Sequence, residues 1–137
     1  MADFSDYLED ALINHVFRNT AYTSPTTVYV ALFTAGTGLE ANNPTSEVTG
    51  AGYVRKAVTF SAPSGGESDN TVEIEWDPAG VGGWGEITHA AVVDHLDNDN
   101  WGTNVNVLMH TALDTPRTIN ENDIIKFPES SLTVQVL

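Results

Sequence analysis

At 137 residues, 41% of them hydrophobic, the chain is long enough for one domain to bury a core without staples, and no apolar run reaches transmembrane length. Nineteen Asp and Glu against five Lys and Arg give a formal net charge of −14, which disfavours a phosphate backbone as partner and hence nucleic-acid binding. The absence of cysteine excludes disulfides, thiolate metal sites and cysteine nucleophiles. The opening Met-Ala-Asp-Phe-Ser-Asp is acidic where a secretory signal is basic and then apolar, so synthesis in a cytosol is expected. The plain account of the charge is a solvated, self-repelling surface; a cation-dependent assembly surface or adaptation to high salt are sharper alternatives.

Leu8, Ala11, Leu12, His15 and Val16 recur at helical spacing and predict a helix over about residues 5–18. Ser5 is its expected N-cap, with Asp6, Glu9 and Asp10 near the positive end of the dipole. Ile13 and Phe17 add a second apolar stripe, so the helix is expected to pack on two sides. A subunit partner could supply one of them, which makes Leu12, Ile13 and Phe17 candidate interface residues. After Pro25 the pattern becomes that of strands. Residues 27–34, Thr-Val-Tyr-Val-Ala-Leu-Phe-Thr, are apolar on both faces and read as a central strand.

Residues 35–52 lack periodicity and are long enough to form an interaction loop. Residues 53–60 read as a strand with Val54, Val58 and Phe60 on one face and Arg55 on the other. Val72, Ile74 and Trp76 alternate with Glu73 and Glu75, a strand with one wet face. Further strands are expected at 84–93, 104–111 and 124–127, and the chain closes on alternating Leu132, Val134 and Val136. Pro116 marks a turn at 114–118. The sum is mainly β: a single domain over residues 1–137, an antiparallel β-sandwich or barrel of about seven strands with one N-terminal α-helix.

Little in the chain points to catalysis. The histidines show no HExxH spacing and read as satisfied core or interface residues, His15 on the helix core stripe and His89 and His110 in strands. The glycine-rich segment 80–85 lacks the Lys-Ser/Thr ending of a phosphate loop. Asp94, Asp97 and Asp99 form a candidate cation loop for Ca²⁺, weighed against a solvated hairpin loop. Trp101 stands where an EF-hand wants an oxygen ligand, which favours the hairpin. Trp76 reads as core, whereas Trp84 and Trp101 flank loops and are candidate interface anchors or a sugar platform. Carboxylates spread over the whole sequence are no evidence for the placed pair that a glycosidase needs.

A series of segments, in order, carries a resemblance: Asp6-Tyr-Leu-Glu-Asp-Ala-Leu-Ile-Asn-His-Val-Phe17, with Thr20-Ala-Tyr-Thr-Ser-Pro25 and Val28-Tyr-Val-Ala-Leu-Phe-Thr34 after it; Gly50-Ala-Gly-Tyr-Val-Arg-Lys-Ala-Val-Thr-Phe60; Trp84-Gly-Glu-Ile-Thr-His89; Leu113-Asp-Thr-Pro-Arg-Thr-Ile119; and the strand from Leu132. Together they resemble a family of small tailed-phage virion surface proteins, tail-fibre-like or head-decoration-like, over nearly the whole chain. The resemblance implies a non-enzymatic structural protein on the external surface of a virion assembled in host cytoplasm. It brings no catalytic, cofactor-binding or metal residue set. The preferred expectation is a capsid decoration or cement subunit, stabilising the shell by binding only its assembled form. The alternative is a tail or tail-fibre module that contacts the host, through a glycan. Expected partners are major capsid or tail proteins and further copies of the chain, with no nucleic acid and no membrane.

Overall fold

The computed structural model describes residues 2–136. Strand β1 (Asp3–Phe4) leads into α1 (Asp6–Phe17), the only helix among the described residues, and β2 (Val28–Phe33), β3 (Lys56–Val58), β4 (Glu67–Asp69) and β5 (Ile74–Glu75) follow. The two long strands are β6 (Gly85–Val93) and β7 (Val107–Ile119), and β8 (Lys126–Phe127) and β9 (Thr133–Gln135) close the chain. Five strands form one antiparallel sheet in the order β1-β7-β6-β2-β3, and β4–β9 and β5–β8 form two small ladders. The main sheet has two open edges, β1 and β3, so it is a layer of a sandwich and not a barrel.

Strand β2 is interior, between β6 and β3, and its side chains are apolar on both faces. Val30 and Leu32, in register with Val92 and Ala90 of β6, bury one face against Ile74, Trp76, Ile125 and Leu132. Ala31 and Phe33 bury the other face with Val93, Val105, Val107 and Leu39. The residues that cover the second face come largely from loops. Segment 35–52, long enough to read as an interaction loop, contributes Leu39 here, and its Asn42 bridges Asn106 Oδ1 (2.8 Å) and the Val107 N–H (2.7 Å), while its Val48 is buried with Val30 and Leu32 on the first face. Gly38 makes this possible with φ +81°, at a point where a Cβ would collide with the Asn43 carbonyl.

Two boundaries differ from the sequence expectation. Only Lys56–Val58 of segment 53–60 joins the ladder, and the preceding residues face the opposite way to the expected one: Val54 is half-exposed and Arg55 is buried. Strand β7 runs through the expected turn at 114–118. Its register with β6 jumps between Ile87 opposite Arg117 and His89 opposite Ala112, and Pro116 falls in this irregularity. A residue with no N–H to donate is tolerated at such a bulge.

Helix α1 begins as its sequence implies. The Ser5 hydroxyl accepts from Leu8 N–H (3.3 Å) and donates to the Val107 carbonyl, while Ser5 N–H donates to Leu108 O (3.0 Å). These bonds anchor its first turn on β7, and Tyr7 and Leu8 pack on the core. The second half is different. His15 and Val16, expected on the core stripe, are exposed, and Ile13 (53%) and Phe17 (80%) stand open to solvent.

Candidate functional site

The most organised polar constellation is built around Arg55. Its guanidinium is 4% exposed at the residue level, and it donates from Nε to Glu47 Oε2 (2.8 Å) and from Nη2 to Glu47 Oε1 (2.7 Å). Nη1 donates to the His95 carbonyl (2.9 Å) and Nη2 also to the Asn98 carbonyl (3.0 Å). The ring of Trp101 lies under the guanidinium, 4.9 Å from Cζ to centroid, and meets Phe33 on the core side. Tyr53 adds a hydroxyl that donates to Glu47 Oε2 (2.8 Å) and accepts from the Leu32 N–H (3.0 Å).

Electrostatics holds Tyr53 and Arg55 each in one protonation state. Burial, and then the Glu47 charge, push the Tyr53 hydroxyl well above its usual range, so it remains a donor. Burial works against the Arg55 charge, but the hydrogen bonds and charge of Glu47 outweigh it and hold the guanidinium above its ordinary value. Every donor of this buried pair that the fold hides is satisfied, which is the condition under which a buried ion pair holds a fold in one arrangement. The pair ties segment 44–57 to segment 95–101, which are far apart in the chain.

Beside this network lies an open cleft of about 720 Å³, lined by Pro44, Val54, Lys56, Leu96, Asp99 and Trp101 among others. Val54 (50%) and Leu96 (45%) give it exposed aliphatic walls, and Asp97 and Asp99 stand at its rim with little of their carboxylates covered. Acceptor oxygens, an aromatic ring held rigidly from below and short aliphatic walls are the equipment of a recognition surface. They offer no activated nucleophile paired with a base.

With this geometry in place, the comparison with known families is decisive: the family described as Podophage GP4 fiber I protein gp80 matches residues 3–135. The chain belongs to this family. No curated protein matches it. The gp80 match runs from β1 to β9, so the Arg55 network and the cleft both lie within it. Membership in a phage fibre family places the chain among the structural proteins of a tailed virus particle. It also supports the tail-fibre expectation better than the capsid-decoration one. No described helix is long and apolar enough to cross a membrane.

Within the gp80 fold, the residues singled out from sequence are scattered. Asp94 is spent on closing its own loop, accepting from Asn106 N–H (2.7 Å) and Nδ2 (2.9 Å). Asp97 stands by His95 (3.5 Å), and Asp99 lies 3.8 Å from Arg55. The three carboxylates do not converge on a point. Among the described residues the carboxylates that do converge are Asp6, Glu9 and Glu40, all exposed, beside the first turn of α1. Glu40 is engaged there by His110 Nε2 (2.6 Å).

Trp76 is buried as the alternation implied, donating to the Val54 carbonyl (2.8 Å) and packing edge-on to Phe127. Trp84 corrects the expectation. It is 5% exposed, donates to the Ala51 carbonyl (2.9 Å) and meets Tyr53 edge-on, so it offers no surface to a sugar or a subunit. Its place beside a loop suggests exposure, but a glycine from a distant segment admits the ring: a Cβ at Gly50 would collide with Trp84. Trp101 does line a surface. His15 is exposed and accepts from the Tyr22 N–H (3.1 Å); it is not a core residue. His89 is half-buried beside Gly36, and burial first and His110 second hold its imidazole below the ordinary range. Sequence patterning missed Arg55 and Glu47 altogether; the one available signal was an arginine and a glutamate in a chain with few cations to spare.

Proposed function

We propose that this protein is a non-enzymatic tail-fibre module that contacts the host surface, attached to other virion proteins and to copies of itself. The observation that carries the proposal is the gp80 match over residues 3–135. The cleft at Trp101 supports a role in recognition, and the exposed apolar end of α1 supports attachment. A capsid-decoration role has no comparable support. Labelling particles with gold-conjugated antibody tests the assignment: gold on the fibres is expected, and gold on heads alone would overturn it. Excess purified protein is expected to slow adsorption of the phage to its host.

Attachment makes a separate prediction. Ile13, Val16 and Phe17 are 53%, 64% and 80% exposed and follow one another at i, i+3 and i+4 on the last turns of α1. Covering Phe17 in an interface is worth about 1.5–3 kcal/mol. Phe17→Ser is therefore expected to weaken self-association or incorporation into particles by roughly tenfold or more, with folding stability changed by less than about 0.5 kcal/mol. Light scattering across a concentration series, alongside thermal denaturation, reads both.

No cofactor takes part in the proposed contact. Binding of the protein to host cells is expected to be the same after EDTA treatment as with added Ca²⁺. A calcium-dependent gain in melting temperature or in cell binding would restore the loop of Asp94, Asp97 and Asp99 as a cation site.

A further inference from the structure

The distribution of the few cations points to a second site. The chain has five Lys and Arg against nineteen Asp and Glu. Arg55 is paired with Glu47, Lys56 stands 3.9 Å from Asp77, and Arg18 donates to the Asn14 side chain (2.8 Å). Arg117 and Lys126 make no ion pair among the described residues, although carboxylates outnumber cations almost four to one. Both line the same cleft of about 390 Å³. They arrive from different elements, Arg117 from the outer half of β7 and Lys126 from β8.

The cleft's composition narrows the ligand. Asp114 is the only acidic residue among those lining it, with Glu75 opposite Lys126 in the β5–β8 ladder outside the lining, so cations outnumber carboxylates in the lining of an anionic molecule. Thr115 and Ser131 contribute hydroxyls, and Leu113, Phe127 and Leu132 contribute an apolar floor. Its volume sits at the lower end of the range of about 300–1,000 Å³ found for small-molecule sites. Two cations from separate strands suit a carboxylate or phosphate, the hydroxyls suit sugar oxygens, and the apolar floor suits the face of a ring.

We propose that Arg117 and Lys126 form a binding site for a saccharide bearing an anionic group, a carboxylate or a phosphate. This deepens the host-contact reading and rests on it, because a host surface is where such a group would be met. The net charge of −14 repels anions elsewhere on the molecule, so the site also confers position: an anionic glycan is accepted at one place only.

Titration of the full chain with glucuronate, glucose 6-phosphate and neutral glucose, followed by calorimetry or NMR, tests the proposal. The first two probes separate carboxylate from phosphate as the preferred group. Binding of at least one anionic probe, at least tenfold tighter than glucose and weakening as salt rises, is expected. Arg117→Gln and Lys126→Gln should each weaken it about tenfold, and Asp114→Asn should tighten it. These residues are exposed, so unchanged melting temperatures will show that the variants fold. Equal affinity for glucose, no binding of either anionic probe, or unchanged affinity in both cation variants would overturn the site. The two readings fail separately. Adsorption competition by the doubly substituted protein, undiminished, would remove the site and leave the host contact. Anion binding without any competition by the intact chain would remove the host contact and leave the site.

Discussion

Replacing Arg55 by alanine is expected to destabilise the protein by about 3–5 kcal/mol, the cost of leaving one member of a buried ion pair alone. Glu47, whose side chain is 15% exposed, would lose both bonds of a bidentate pair, and the carbonyls of His95 and Asn98 would lose their donor. At roughly 2–4 °C per kcal/mol for a chain of this size, the melting temperature should fall by on the order of 10 °C. Arg55→Lys is expected to recover little of this, since an ammonium cannot reproduce the planar fork that grips Glu47 while it reaches two carbonyls. Trp101 gives an internal probe. With the guanidinium gone from its face, its fluorescence should shift towards that of a hydrated indole, and the cleft wall it forms should loosen. A loss below about 1 kcal/mol would show the pair to behave like a surface salt bridge.

The second large effect is expected at Asn70, which is 1% exposed and holds the end of the chain in place. Its Oδ1 accepts from the Leu132 N–H (2.8 Å), and its Nδ2 donates to the carbonyls of Val72 (2.8 Å) and Pro128 (3.0 Å). Its backbone carbonyl accepts from Ser130 N–H (3.0 Å). Alanine would leave three main-chain groups without the partner they now have, at about 1–3 kcal/mol for each that water cannot reach. A total of roughly 3–5 kcal/mol is expected from Asn70→Ala. Asn70→Asp should cost almost as much, because a carboxylate keeps the acceptor and loses both donated bonds. Urea denaturation measures the loss, and limited proteolysis should show cleavage appearing first within residues 128–136, next to β9. Uniform digestion along the chain would contradict the strap role.

Both residues show where patterning stops. Arg55 sits in a run that alternates like a strand, and alternation put it on the wet face. Its true partners, the carbonyls of His95 and Asn98, lie 40 and 43 residues further on. Asn70 follows the polar, glycine-containing run 63–69 and no pattern in the chain singles it out; its partners at Pro128 and Leu132 are 58 and 62 residues away. A side chain that meets backbone groups across such separations leaves no periodic trace, because periodicity records only which way neighbours in the chain point. Trp84 failed for a related reason. Tryptophan beside glycines suits an exposed loop or a tight fit equally, and the choice depends on Gly50 and Ala51, more than thirty residues earlier.

What the amino-acid sequence determined by itself was local: the β-rich class, the double-sided strand β2, the Ser5 cap of α1, the buried Trp76 and the net acidity. Each depends on a pattern a few residues long or on composition. Only the tertiary structure decided that loop 35–52 covers a sheet face, that the last turns of α1 stay bare, and that Arg55 is buried over Trp101. It alone brought Arg117 of β7 and Lys126 of β8, which share no ladder, to one cleft. The physical reason is common to all four. In a sheet assembled from distant segments, the partner that satisfies a charge or covers a ring is chosen by register and loop path, and these are set by contacts between segments far apart in sequence.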